Sequence, residues 1–126
     1  MITTVSLVAF GGAIGAALRY LTGIGVLRLF GHHDFPLAII TVNVIGSFLM
    51  GVFVVLAAHR GLTHYSPFVM TGLLGGFTTF SAFSLETMTL VERGQTAQAG
   101  LYILLSVGLS VGALALGLIA TREILA

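Results

Sequence analysis

Residues 72–84 read Gly72-Leu73-Leu74-Gly75-Gly76-Phe77-Thr78-Thr79-Phe80-Ser81-Ala82-Phe83-Ser84, and this stretch decides the fold. With its apolar flanks it is long enough to cross a bilayer, yet its centre is a poor helix former. Paired glycines give way to β-branched threonines, and both weaken a helix. A break at membrane depth frees amides and carbonyls that lipid cannot satisfy. Such backbone is tolerated only inside protein or beside a water-filled cavity. The expectation is therefore a membrane helix interrupted at its glycines, with function at the interruption. Phe77, Phe80 and Phe83 recur every three residues, which predicts one shared helix face. Thr78, Ser81 and Ser84 recur at the same spacing on the adjacent face. Ring edges carry partial positive charge, so the two faces together suit an anion.

The rest of the chain places this helix among three others. Of 126 residues, 57% are hydrophobic and only 7% charged, against roughly 25% charged in a soluble domain. So little polar material cannot coat a water-exposed surface, and the solvent of this chain is lipid. A spanning helix needs about 20 mostly apolar residues, and residues 4–29, 36–58, 67–91 and 97–120 qualify. They make a single all-α transmembrane domain over residues 1–126, with both termini on one side. Short polar breaks separate the spans: Gly31-His32-His33-Asp34, then His59-Arg60-Gly61 with His64, then Glu92-Arg93-Gly94-Gln95. Small residues four apart, Gly11 with Gly15, Gly12 with Ala16, and Gly108 with Gly112, predict close helix packing.

Several function classes drop out. There is no cysteine, net charge is +1 and no basic cluster occurs, so thiolate metal sites and nucleic-acid binding have no footprint. The four histidines sit near loops without a carboxylate to complete a metal site. No nucleophile, base and orienting acid occur together, and no phosphate loop is present; the chain does not read as an enzyme.

Arginine placement bears on topology. Arg60 and Arg122 fall on the side of the N-terminus, Arg28 and Arg93 on the other. With no lysines, the positive-inside rule gives a tie. This predicts insertion in both orientations and an antiparallel homodimer about a two-fold axis in the membrane plane. Four short helices enclose little space alone, so a transport path is expected between subunits.

Isolated polar residues within spans are costly unless partnered. Asn43, in Thr41-Val42-Asn43-Val44-Ile45-Gly46, either bonds a neighbouring helix or offers its amide hydrogens to a passing anion. Arg19 either snorkels to the interface or lends positive potential to a vestibule. Glu86, near the end of the third span, could pair with an arginine or accept amides around the break, and the sequence does not decide its role. Ser106 and Ser110, with Tyr102 one turn earlier, extend a candidate hydroxyl track on the fourth span. Serines also bond back to their own helix.

Taken together, Gly75-Gly76-Phe77-Thr78-Thr79-Phe80-Ser81-Ala82-Phe83-Ser84-Leu85-Glu86 resembles the third-helix signature of the small fluoride channels, the Fluc or CrcB proteins. Thr41-Val42-Asn43 and the stretch from Gly11 to Tyr20 match as well, as do length and layout. The resemblance implies a dual-topology antiparallel homodimer with two anion pores, which lets fluoride leave the cytoplasm passively across the inner (plasma) membrane and rejects chloride. On this resemblance the fluoride pathway comprises Phe80, Phe83, Asn43, Ser81, Ser110, Thr79, Tyr102 and Arg19. It also implies a structural sodium ion (Na+) at the dimer centre, held by backbone carbonyls of Gly75 and Thr78. Where many members carry a threonine one turn after Ser110, this chain has Leu114. The competing expectation is a small proton-coupled exporter of organic cations. Such a protein needs a carboxylate deep in a span, and the only candidate here, Glu86, lies near the end of its helix.

Overall fold

The computed structural model describes residues 1–126. Four helical spans, Ile2–Phe30, Leu37–Arg60, Thr63–Glu92 and Thr96–Leu125, are each long and apolar enough to cross a membrane. The protein is a multi-pass helical membrane protein. α1 (Ile2–Phe30) ends at Gly31, whose φ of 75° suits only glycine comfortably. α2 (Leu37–Arg60) ends at Gly61 in the left-handed region, the usual way to stop a helix. The third span is composite. A π-helical segment, Pro67–Leu74, runs into a single α-turn, α3 (Gly75–Phe77). Two extended residues follow, and then α4 (Phe80–Glu92). α5 (Thr96–Leu125) is the longest helix.

The break lies one step later than the glycines. Gly75 has α-helical dihedrals, φ −63° and ψ −38°, whereas Thr78 (φ −86°, ψ 161°) and Thr79 (φ −156°, ψ 118°) are extended. The expectation of a glycine-interrupted helix is corrected: the threonines carry the interruption, and the glycines serve packing. A Cβ on Gly76 would sit 2.6 Å from the Gly12 carbonyl oxygen, and one on Gly72 would sit 2.8 Å from that of Val8. From the other side, a Cβ on Gly11 would lie 2.5 Å from the Phe68 carbonyl, and one on Gly15 would run into Leu73. Glycines on both partners therefore let α1 and the first half of the third span touch backbone to backbone.

A second glycine seam joins α2 to α5. A Cβ on Gly51 would strike the Leu114 carbonyl, and one on Gly117 the Phe48 carbonyl. Gly108 and Gly112, expected to pack a helix, meet nothing within 4 Å in the protomer. The break lets the third span change partners. Before it, the chain packs on α1; after it, α4 packs on α5. There Phe83, Leu90, Ala99 and Tyr102 form a buried cluster, with Phe35, Ile39 and Ile40 packed against it. Most of the remaining large apolar side chains face outward, including Phe10, Leu21, Leu104 and Ile119, as lipid solvent requires.

Candidate functional site

Two extended residues inside a membrane span leave backbone groups to be satisfied, and the neighbouring side chains do it. Asn43 on α2 spends both ends of its carboxamide on Thr79. Its Nδ2 donates to the Thr79 carbonyl at 3.1 Å, and its Oδ1 accepts from the Thr79 amide at 2.8 Å. The pair mimics one rung of a β-ladder. Thr79 also caps α4: its Oγ1 accepts from the Ala82 amide at 3.1 Å, the role threonine plays at a helix N-terminus. Ser81 Oγ lies 3.2 Å from the same oxygen. Thr78 Oγ1 turns back to the Leu74 carbonyl at 2.9 Å. Gly46, one turn below Asn43, admits the break, because a Cβ there would collide with the Thr78 methyl.

These bonds have a consequence for two carbonyls. In an unbroken helix the Thr79 amide would bond the Gly75 carbonyl, and the Ala82 amide that of Thr78. Here the first goes to Asn43 and the second to the Thr79 hydroxyl. Gly75 and Thr78 are thus relieved of their helical partners, which is the condition for carbonyl oxygens to serve a hard cation.

Beside the break, α2, α4 and α5 enclose a groove of about 410 Å³. Its polar lining comes from Asn43 and Ser47 on α2, Thr78 and Thr79 at the break, and Ser106 and Ser110 on α5. Phe80, Phe83, Met50, Val107, Val111 and Leu114 supply the apolar part. No charged residue lines it. Hydroxyls elsewhere along the helices, those of Thr22, Thr41, Ser84, Thr87 and Thr89, donate to the carbonyl four residues earlier. Ser47, Ser106 and Ser110 make no such bond, and the Ser106 Oγ is buried with the Tyr102 hydroxyl as its side-chain neighbour. Donors that could have been absorbed by their own helices are left for whatever enters the groove.

The expected residues distribute unevenly. Asn43, Thr79, Phe80, Phe83 and Ser110 line the groove. Phe80, 76% exposed, stands at its open rim, and Phe83 is buried behind it with ring centroids 5.3 Å apart. Tyr102 is wholly buried one ring further, 5.2 Å from Phe83, and does not line the groove. Ser81 is exposed and reaches the groove only through Thr79. Arg19 is half-buried on α1 and lines neither the groove nor the second cavity described below. The expectation that Phe77, Phe80 and Phe83 share one helix face is corrected, since the break rotates α4 away from Phe77, which is buried beneath Gly46. Neither role open to Glu86 is seen. The one ion pair in the protein is Asp34 with Arg93, and Glu86 accepts no amide. Glu86 lines a separate cavity of about 350 Å³ at the loop end, with His32, His33, Asp34 and Arg93. Sequence reasoning missed Ser47. Its signal was present: it follows Asn43 by four residues and so shares that residue's face.

The fold and groove define a small four-span membrane protein with an uncharged, hydroxyl-lined groove beside a helix break. Residues 6–118 match the family model described as CrcB-like protein, Camphor Resistance (CrcB), and the chain belongs to that family. It is 66% identical over 125 residues to the fluoride-specific ion channel FluC of Ruegeria sp., covering 99% of both chains. It is 69% identical over 119 residues to the protein of that name from Roseobacter denitrificans, covering 94% of both. To the one from Jannaschia sp. it is 69% identical over 105 residues, 80% of this chain and all of the relative.

Proposed function

We propose that this protein is a passive fluoride-selective channel, exporting fluoride through the groove beside the third-span break. The observation that carries the reading is the set of hydroxyls not bonded back to their own helix, Ser47, Ser106 and Ser110, lining an uncharged groove next to the rings of Phe80 and Phe83. Fluoride is small and strongly hydrated, so a narrow path must replace its water with hydrogen-bond donors. Hydroxyls, the remaining amide hydrogen of Asn43 and phenyl edges are all donors of partial positive charge. None binds an anion as tightly as an arginine would, which lets the ion leave again. The pathway on this reading runs past Phe80, Phe83, Asn43, Thr79 and Ser110. Ser81 supports Thr79, Tyr102 lies behind Phe83, and Arg19 acts from a distance through its charge. No step needs a catalyst or an energy source. Hydrofluoric acid enters cells neutral and ionises at cytoplasmic pH, so an open exit for the trapped anion suffices.

The working unit on this reading is an antiparallel homodimer in the inner membrane. Supporting it, the groove is open along the side where Phe80, Val107 and Val111 are exposed, and Gly108 and Gly112 have no neighbour within the protomer. A second copy would close both. Sodium at the centre of such a dimer would be held by the relieved carbonyls of Gly75 and Thr78 from each subunit, where it would supply fixed positive potential. A proton-coupled cation exporter finds no support in the groove, which contains no carboxylate; Glu86 faces the other cavity. The test is growth. Cells lacking their own fluoride exporter should regain tolerance to external fluoride when they express this protein in the membrane. Correctly inserted protein that confers no tolerance would overturn the proposal.

A further inference from the structure

The groove and the loop-end cavity have no lining residue in common. What separates them is a row of rings. Phe83 belongs to the groove and Phe35 to the loop cavity, and the buried Tyr102 stands between them. Its ring lies 5.2 Å from Phe83 and 5.5 Å from Phe35, the latter contact edge to face at 84°. The Tyr102 hydroxyl is buried, with Ser106 of the groove, one turn further along α5, as its one side-chain hydrogen-bond neighbour. Phe35 is the only ring of this row that sits on a loop. The six residues from Gly31, with its φ of +75°, to Pro36 join α1 to α2. Two polar contacts tie that loop to the turn between α4 and α5. Asp34 Oδ1 is 3.6 Å from Arg93 Nη1, and Gln95 Nε2 donates to Asp34 Oδ2 at 3.1 Å.

We propose that residues 31–36 form a lid over the loop end of this row of rings, with Phe35 as its plug and Asp34, held by Arg93 and Gln95, as its latch. Lifting the lid takes Phe35 off the Tyr102 ring and opens that ring to the loop cavity. On the reading of the groove as a fluoride path, the lid then controls how easily the anion passes between the groove and water at this end. The latch is weak by construction. Its ion pair is more than half exposed on both sides, and an exposed pair contributes about 0–1 kcal/mol. A lid held this way opens often rather than never, as a path in continuous use requires.

The chain lacks cysteine, so a single reporter is clean. Ala99, 2% exposed, lies one turn before Tyr102 in the cluster that Phe35 covers. With Ala99→Cys as background, the rate of reaction with a small water-soluble thiol reagent measures lid opening whether or not the protein conducts. Asp34→Asn and Arg93→Gln should each speed labelling about two- to fivefold, the range an exposed pair commands. The charge swap, Asp34→Arg with Arg93→Asp, should restore the slow rate. The new arginine can also donate to Gln95 Oε1, which is buried without a partner. Labelling unchanged in the single variants, or fast in the swap, would overturn the lid. The same latch variants without the reporter cysteine should raise fluoride efflux by a similar factor. Faster labelling with unchanged efflux, in a protein that conducts, would overturn the lid's place on the ion path. A parent that conducts no fluoride would defeat the proposed function, while labelling would still decide the lid.

Discussion

Asn43→Asp separates the two jobs assigned to that side chain. The substitution is nearly isosteric and keeps the acceptor for the Thr79 amide, now 2.8 Å from a charged oxygen. It removes the donor that meets the Thr79 carbonyl at 3.1 Å and sets an anionic oxygen against that carbonyl. Leaving a buried carbonyl unpaired costs about 1–3 kcal/mol. The stronger charge-assisted bond on the other side returns about 1 kcal/mol. The hydrogen bonds alone leave a net loss of about 0–2 kcal/mol, to which the burial of a carboxylate in an uncharged groove adds. Conduction should suffer far more. A fixed negative charge ~5 Å from an anion in the groove repels it by about 3 kcal/mol at an effective dielectric of ~20, roughly a hundredfold in flux. Asn43→Leu reverses the balance. It adds no charge but strips both bonds from Thr79, costing about 2–6 kcal/mol, so it should fail first in thermal stability. Fluoride efflux from liposomes and unfolding temperature in detergent read the two effects. Aspartate conducting within twofold of the parent would refute the placement of Asn43 beside the ion. Leucine melting at the parent temperature would refute the clamp.

Three further outcomes follow from the geometry. Phe80→Ile and Phe83→Ile should each cut fluoride efflux sharply. Stability should hold for the exposed Phe80 and fall by about 1 kcal/mol for the buried Phe83, as thermal unfolding would report. Gly76→Ala places a methyl 2.6 Å from the Gly12 carbonyl and should cost about 1–3 kcal/mol. Gly100→Ala, with nothing within 4 Å, should instead stabilise α5 by roughly 0.5–1 kcal/mol; equal effects at the two positions would count against the glycine seam. Ser47→Ala should lower fluoride efflux several-fold with little change in melting, because Ser47 lines the groove and spends its hydroxyl on nothing else. Efflux equal to the parent would remove that serine from the path.

The four spans were legible because lipid imposes a simple rule: long apolar runs, short polar breaks and almost no charge. The exact break was not. Glycines weaken a helix in water, but between Gly72 and Gly76 they are held helical by α1, whose own glycines come within contact of them. Thr79 ends the helix because two partners distant or local in sequence, Asn43 and its own hydroxyl's bond to Ala82, satisfy what the break exposes. The first of these spans 36 residues, and no local propensity announces it. The same limit applies to the phenylalanines. Spacing alone puts Phe77 with Phe80, and only the break's geometry sends one into the protein and the other to the rim. Ser47 was within reach of spacing arguments, whereas Phe35 was not, since its contact with Tyr102 depends on how a loop folds back over α5.

The central claim is that the groove carries fluoride and rejects chloride. Purified protein in liposomes loaded with potassium fluoride, with valinomycin to carry the counter-ion, measures it directly through a fluoride electrode, beside matched vesicles loaded with potassium chloride. The account predicts rapid fluoride release with little chloride release, cut roughly a hundredfold by Asn43→Asp. Comparable release of both anions, or no fluoride release from folded protein, would contradict it.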